Sequence, residues 1–267
     1  MAGIVAESPK WPEGKRSDGT FRITPPSNAV LAPSPRPHTT LIRVAWLATL
    51  VLVLIGVAIV TRRTMSLAGL MSTPSTLSSA APDAAFARYA PLTLAHILPG
   101  LLFLVLGPFQ FIQTLRTRKP EVHRRIGYVV LTSGLVTGVT ALAMTTQVAI
   151  GGAAERAATT LFGVLFLVSL ARAFSCIRDR RVAAHREWMI RAFSLGLAVA
   201  TIRPIVGAFF ATQRFTGLTA PEFFGIAFWI GFTMHLIAAE AWINHTRAWG
   251  QRRNEGGIEL RAATRAS

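Results

Sequence analysis

Six apolar runs, each long enough to cross a hydrocarbon core, constrain this chain more than any motif does. They lie at about residues 42–60, 91–114, 126–149, 157–176, 187–211 and 222–245, against the roughly 20 residues that a spanning helix needs. In lipid every backbone N–H and C=O must be satisfied within the segment, so runs of this kind are read as helices. The expected fold is therefore an all-α integral membrane protein: a six-transmembrane-helix bundle of antiparallel hairpins behind a disordered, proline-rich N-terminal tail. Short linkers make sequence neighbours into hairpins, apart from the long loop after the first run.

Composition agrees, since 51% hydrophobic residues, 15% charged residues and a mean hydropathy of +0.44 are too apolar for a soluble domain of this length. The net charge of +16 does not point to nucleic acid, because the cations sit in clusters between apolar runs and not on one face of a soluble fold. A single cysteine, Cys176, excludes an internal disulfide, a CxxC pair and a cysteine-ligated iron–sulfur cluster within one chain. The division expected is a disordered cytoplasmic tail at 1–40, a first anchor helix at 41–61, a five-helix core at 84–246 and a basic cytoplasmic tail at 247–267. Residues 1–40 hold seven of the fifteen prolines and no apolar period, which leaves too little burial to offset ordering entropy. The Ser/Thr/Ala/Pro stretch at 71–83 reads as a linker ending in a "PD" cap.

Placing the N-terminal tail in the cytoplasm puts twenty-two Lys and Arg residues inside, five outside, and leaves Arg203 in the membrane. That bias sets topology. It predicts an inner (cytoplasmic) membrane protein with both termini cytoplasmic and anionic lipid head groups as partners at that face. The Arg62–Arg63 pair falls on the wrong side.

An internal echo is present. "KPEVHRRIGYVVLTSG" aligns with "RVAAHREWMIRAFSLG" at a constant offset of 62, superposing His123 on His185 and Gly134 on Gly196. The pattern suggests two hairpins repeated in parallel about an axis along the membrane normal. Gly134 and Gly138 form a GxxxG pair, read as helix packing.

Three segments in this order, "HILPGLLFLVLGPFQF", "HRRIGYVVL" and "AHREWMIRAFSLGLAVATIRPIV", resemble the bacterial predicted-membrane-protein family called domain of unknown function 2306, over about residues 90–245. The resemblance implies a multi-helix membrane domain and brings no activity with it.

Ionisable groups at membrane depth are costly and mark functional candidates. Near the inner face lie Gln110, His123, His185, Arg191 and Glu240; near the outer face lie His96 and Arg203; His235 is near the middle. Each also has a plain structural reading. His123 and His185, beside arginines at helix starts, suit contact with lipid phosphate, and His235 suits a neutral bond to a facing helix. Arg203, about 24 Å from the inner surface at 1.5 Å per residue, can snorkel to the outer interface; with His96, Pro99 and Gln213 it can also line a pocket, and Pro204 would kink the helix there. Arg191 and Glu240 share a depth and are expected to pair.

Two function classes compete. In one, histidines on facing helices hold haem b, or the bundle binds a quinone, and electrons pass within the bilayer, with His96, His123, His185, His235 and Arg203 as candidate binding residues and haem iron the one metal. His96 and His235 differ by about 13 Å in depth, a poor axial pair. In the other, the bundle is a small-molecule or lipid transporter, or a sensing or assembly subunit. No Walker loop, HExxH, GxSxG or carboxylate pair is present, so no enzyme class is assigned.

Overall fold

The structure is a computed structural model, and it describes residues 39–69 and 85–266, with side chains beyond Trp249 described only at Gln251. The tail expected at 1–40, save its last two residues, and the linker at 71–83 lie outside the described residues. Two units are distinguished, residues 1–43 and 44–267. Of the first, only the opening turn of the first helix is described, and the bundle is the second.

All regular structure among the described residues is helical. Six helical segments are long and apolar enough to span a membrane: α1 (Thr39–Leu67), α2 (Ala90–Leu106, whose span runs on through a 3₁₀ turn to Phe111), α3 (Pro120–Gln147), α4 (Gly152–Arg178), α5 (Val182–Thr216) and α6 (Ala220–Ala266). Six crossings leave the two ends of the chain on one side. The loops at 107–119 and 179–181 define what we call the basic face; those at 148–151 and 217–219 define the far face.

The termini follow local chemistry. Proline opens α3, with Glu121 in its first turn, which costs no backbone donor and sets an acid against the positive dipole end. Before α6, Glu222 Oε2 accepts from both the backbone N–H and the hydroxyl of Thr219 at 2.7 Å, a capping-box arrangement. α5 ends on Gly217 at φ +66°, a left-handed position that glycine fills without strain.

α1, α4, α5 and α6 outrun their apolar stretches at both ends, while α3 starts before its stretch and stops two residues short of its end. The run at 91–114 is not one helix. α2 stops at Leu106, a 3₁₀ turn follows at Pro108–Phe111, and Ile112 is extended before a short helix at Gln113–Arg118. Pro108 supplies the reason, since it lacks the N–H that would continue the ladder. The basic tail expected from residue 247 is the continuation of α6 to Ala266.

The repeat is visible in the helix starts: α2 and α4 begin at 90 and 152, α3 and α5 at 120 and 182. Both pairs are offset by 62. Gly134 and Gly196, its equivalent, face the same side chain, because a Cβ on either would come within 2.9 Å or 2.5 Å of the Phe103 ring. Phe103, 1% exposed, is thus a wedge between the two repeats and meets Phe166 edge-on at 5.3 Å and Phe193 at 6.0 Å. Gly138 admits Leu167 and Phe166 in the same way. Leu47, Leu50 and Leu54 of α1 are exposed, as expected of a surface facing lipid. Arg63, one of the pair on the wrong side for the charge rule, lies over the Phe86 ring at 4.3 Å, a cation–π contact.

Candidate functional site: a polar seam between α5 and α6

Antiparallel packing of α5 on α6 sets polar side chains opposite one another at three levels. At the basic face Arg247 Nε and one terminal nitrogen donate to the two oxygens of the Glu187 carboxylate, Nε to Oε1 at 2.6 Å. One turn deeper, Arg191 Nε and one of its terminal nitrogens donate to the two Glu240 oxygens at 2.6 and 2.9 Å. This fork-on-fork geometry is the strongest form of the pair, and Trp188 stacks on the Arg191 guanidinium at 4.6 Å. Leu165, Glu187, Trp188, Arg191, Leu236, Glu240 and Arg247 line a cavity of about 450 Å³.

Deeper still, His235 Nε2 and Thr201 Oγ1 are 2.7 Å apart, and the Ser194 backbone carbonyl also bonds the ring. A carbonyl only accepts, so the ring donates there and Nε2 accepts the threonine hydroxyl proton.

Toward the far face the seam meets a second cluster. Arg203 acts electrostatically on both His96 of α2 and Glu155 of α4, so three helices contribute one ionisable group each. His96 Nδ1 lies 3.0 Å from the Thr137 carbonyl and 3.2 Å from Thr140 Oγ1, which places the proton on Nδ1 and leaves Nε2 as an acceptor. Glu155 is buried and accepts from the Gly151 N–H at 2.5 Å. Gly151 sits against α6, where a Cβ would come 2.5 Å from the Gly225 nitrogen. Gln213 is exposed on the last turn of α5.

His123 and His185 form a separate site at the basic face, where His185 and Arg116 both act electrostatically on His123. His185 Nδ1 bonds the Ala173 carbonyl at 2.8 Å. His96 and His235 are not brought together.

Sequence reasoning missed Glu155, Glu187, Arg247 and Thr201. Glu155 stands in "GGAAER", where an acid in the first turn after a Gly-Gly turn is a helix-start signal. Glu187 and Arg247 flank the Arg191–Glu240 pair one and two turns toward the basic face, so the antiparallel register that joins 191 to 240 also joins 187 to 247.

Removing Arg191 strands a carboxylate, whereas neutralising Glu240 leaves a guanidinium that still stacks on Trp188. Arg191→Ala is therefore expected to cost about 2 kcal/mol, midway between exposed and buried pairs because Glu240 is 41% exposed, and Glu240→Gln less than half of that. Detergent-solubilised thermal melts check the order; equal losses contradict it.

Among curated proteins and solved structures nothing matches the chain. The family model described as "Predicted membrane protein (DUF2306)" matches residues 93–243, more than half of the 267 residues, and that stretch holds α2 to the middle of α6 and most of both clusters. The chain is a member of the DUF2306 family of predicted membrane proteins.

Proposed function

We propose that this multi-pass membrane protein is a carrier whose α5–α6 seam conducts protons as the coupling path for a small polar solute, in a bacterial inner membrane with both termini cytoplasmic. The orientation rests on the twenty-two-to-five distribution of Lys and Arg. The mechanism rests on one observation: titratable side chains recur from the basic-face cavity (Glu187, Glu240), through His235, to the far-face cluster (Glu155, His96). Chains of Asp, Glu and His inside membranes serve as proton relays. An unmatched arginine would repel protons, but Arg247 and Arg191 are each paired with a carboxylate, and Arg203 lies within electrostatic reach of Glu155. The Thr201 hydroxyl bridges the middle by donating to His235 while its own oxygen can accept.

Haem fits this core poorly. Two axial histidines must face each other across a slot that admits the macrocycle. His96 and His185 each keep Nε2 for such a role, yet Phe103, Phe166 and Phe193 pack between their levels, and His235 is occupied by Thr201. Electron carrying by haem or quinone is left with His123 and His185, which sit at helix starts beside Arg116.

The test is proton uptake by liposomes holding the full chain and an entrapped pH dye, driven by a potassium diffusion potential. Acidification faster than in protein-free liposomes is expected; equal rates contradict the reading. A reduced-minus-oxidised spectrum of the same preparation, made with ample haem supply, is expected to lack Soret and α bands, and their presence would move the function to electron transfer.

A further inference from the structure

The basic-face histidines have an unusual pairing pattern. His123 and His185 are equivalent under the 62-residue offset, each the fourth residue of its helix, but they are not bonded alike. His185 donates from Nδ1 to the Ala173 carbonyl. The residue equivalent to Ala173 is Phe111, which lies in the 3₁₀ turn where α2 has ended. The break withholds the carbonyl that would serve His123, and His123 Nδ1 is buried without a hydrogen-bond partner. Gln110, in the same turn, has its Nε2 buried and likewise unpartnered, and its Oε1 lies against Gly127, one turn along α3 from His123. A buried donor left unmatched costs about 1–3 kcal/mol, and such groups call for an occupant.

The chemistry of that occupant follows from the surroundings. Gln110 Nε2 can only donate, and His123 Nδ1 can donate, so the occupant presents acceptor oxygens. Arg116 acts on the site, and residues 113–125 carry Arg116, Arg118, Lys119, Arg124 and Arg125 against Glu121, which favours an anion over a neutral carbonyl. Depth favours the head-group region: His123 is about 5 Å inside the start of α3 at 1.5 Å per residue.

We propose that Gln110, His123 and His185, with Arg116, bind the phosphate of an anionic phospholipid head group at the junction of the two repeats. The guanidinium supplies charge, the Gln110 amide and the His123 ring donate to phosphate oxygens, and His185, held by Ala173, closes the opposite side. The break in α2 is what makes room: it removes a carbonyl that would satisfy His123 internally and delivers Gln110 in its place. This site is independent of the proton seam, with which it shares no side chain.

The experiment is a melt of the full chain in detergent, titrated separately with phosphatidylglycerol, with phosphatidylcholine and with inorganic phosphate, for wild type, for the Gln110→Leu/His123→Phe double variant and for Arg116→Gln. Phosphatidylglycerol is expected to raise the wild-type melting temperature, phosphatidylcholine less so. Half-saturation should weaken about tenfold in Arg116→Gln, the loss expected of one charge-assisted interaction, and by more than that in the double variant, which removes two donors. The unliganded double variant should melt no lower than wild type, because it no longer buries unmatched donors. A shift with inorganic phosphate alone, lost in the variants, keeps the site and assigns it to free phosphate. No anion-dependent shift in wild type, or the same shift in wild type and Arg116→Gln, overturns the proposal; Arg116 is exposed, so its variant decides the matter if the double variant does not fold.

Discussion

Gly196→Val is expected to be the most destabilising single change in the bundle, at about 3 kcal/mol or more. A Cβ there comes 2.5 Å from Phe103 Cε1, and the ring has nowhere to go: Gly134 of the other repeat faces it so closely that a Cβ there too would come within 2.9 Å, with Phe166 and Phe193 on further sides. Interiors packed to crystal density do not absorb added methyl groups without moving backbone. Phe103→Leu in the same chain should recover part of the loss, since it shortens the side chain that clashes, and the coupling would appear as non-additivity in a double-mutant cycle. Gly207 provides the contrast. Nothing lies within 4 Å of its added Cβ, so Gly207→Ala should stabilise by up to about 1 kcal/mol through helix propensity alone. Thermal melts that rank Gly196→Val and Gly207→Ala alike would show that the wedge between repeats is not tightly packed.

The largest functional effect is expected at His235. It is the titratable group between the basic-face ion pairs and the far-face cluster, about 7.5 Å along α6 from Glu240 at 1.5 Å per residue. His235→Leu should abolish potential-driven proton uptake in liposomes and leave the size-exclusion profile unchanged, because His235 is only partly buried and its lost partners are one threonine hydroxyl and one backbone carbonyl. Thr201→Val removes the hydroxyl with little change of shape, and should slow uptake without stopping it, since the imidazole remains. Uptake by His235→Leu at the wild-type rate would remove the relay.

The six spans were legible because lipid demands a signal that composition alone carries, a run of some twenty apolar residues. The parallel repeat was legible too, in a few identities at one offset, and the helix starts repeat that offset. What escaped reading depends on the third dimension or on single residues. The end of α2 at Leu106 hides inside an uninterrupted apolar run, with Pro108 as its one local sign. Glu155 sits in a stretch that reads as a polar loop, and its place in a buried cluster requires that the 148–151 loop pack on Gly225. Arg203 could be placed by depth, but nothing in the sequence shows that Glu155 and His96 approach it from two other helices.

Water access along α5 tests the central claim most directly. Cys176 is the one cysteine and is buried, so a Cys176→Ala background accepts single cysteines at Ser194 and Thr201 on the seam and at Ala198 and Ile202 in the apolar core. A small, charged thiol reagent that cannot cross lipid is expected to label positions 194 and 201 in liposomes, faster under an imposed potential, and to leave 198 and 202 untouched. Equal resistance at all four positions would show a dry seam and contradict a proton path between α5 and α6.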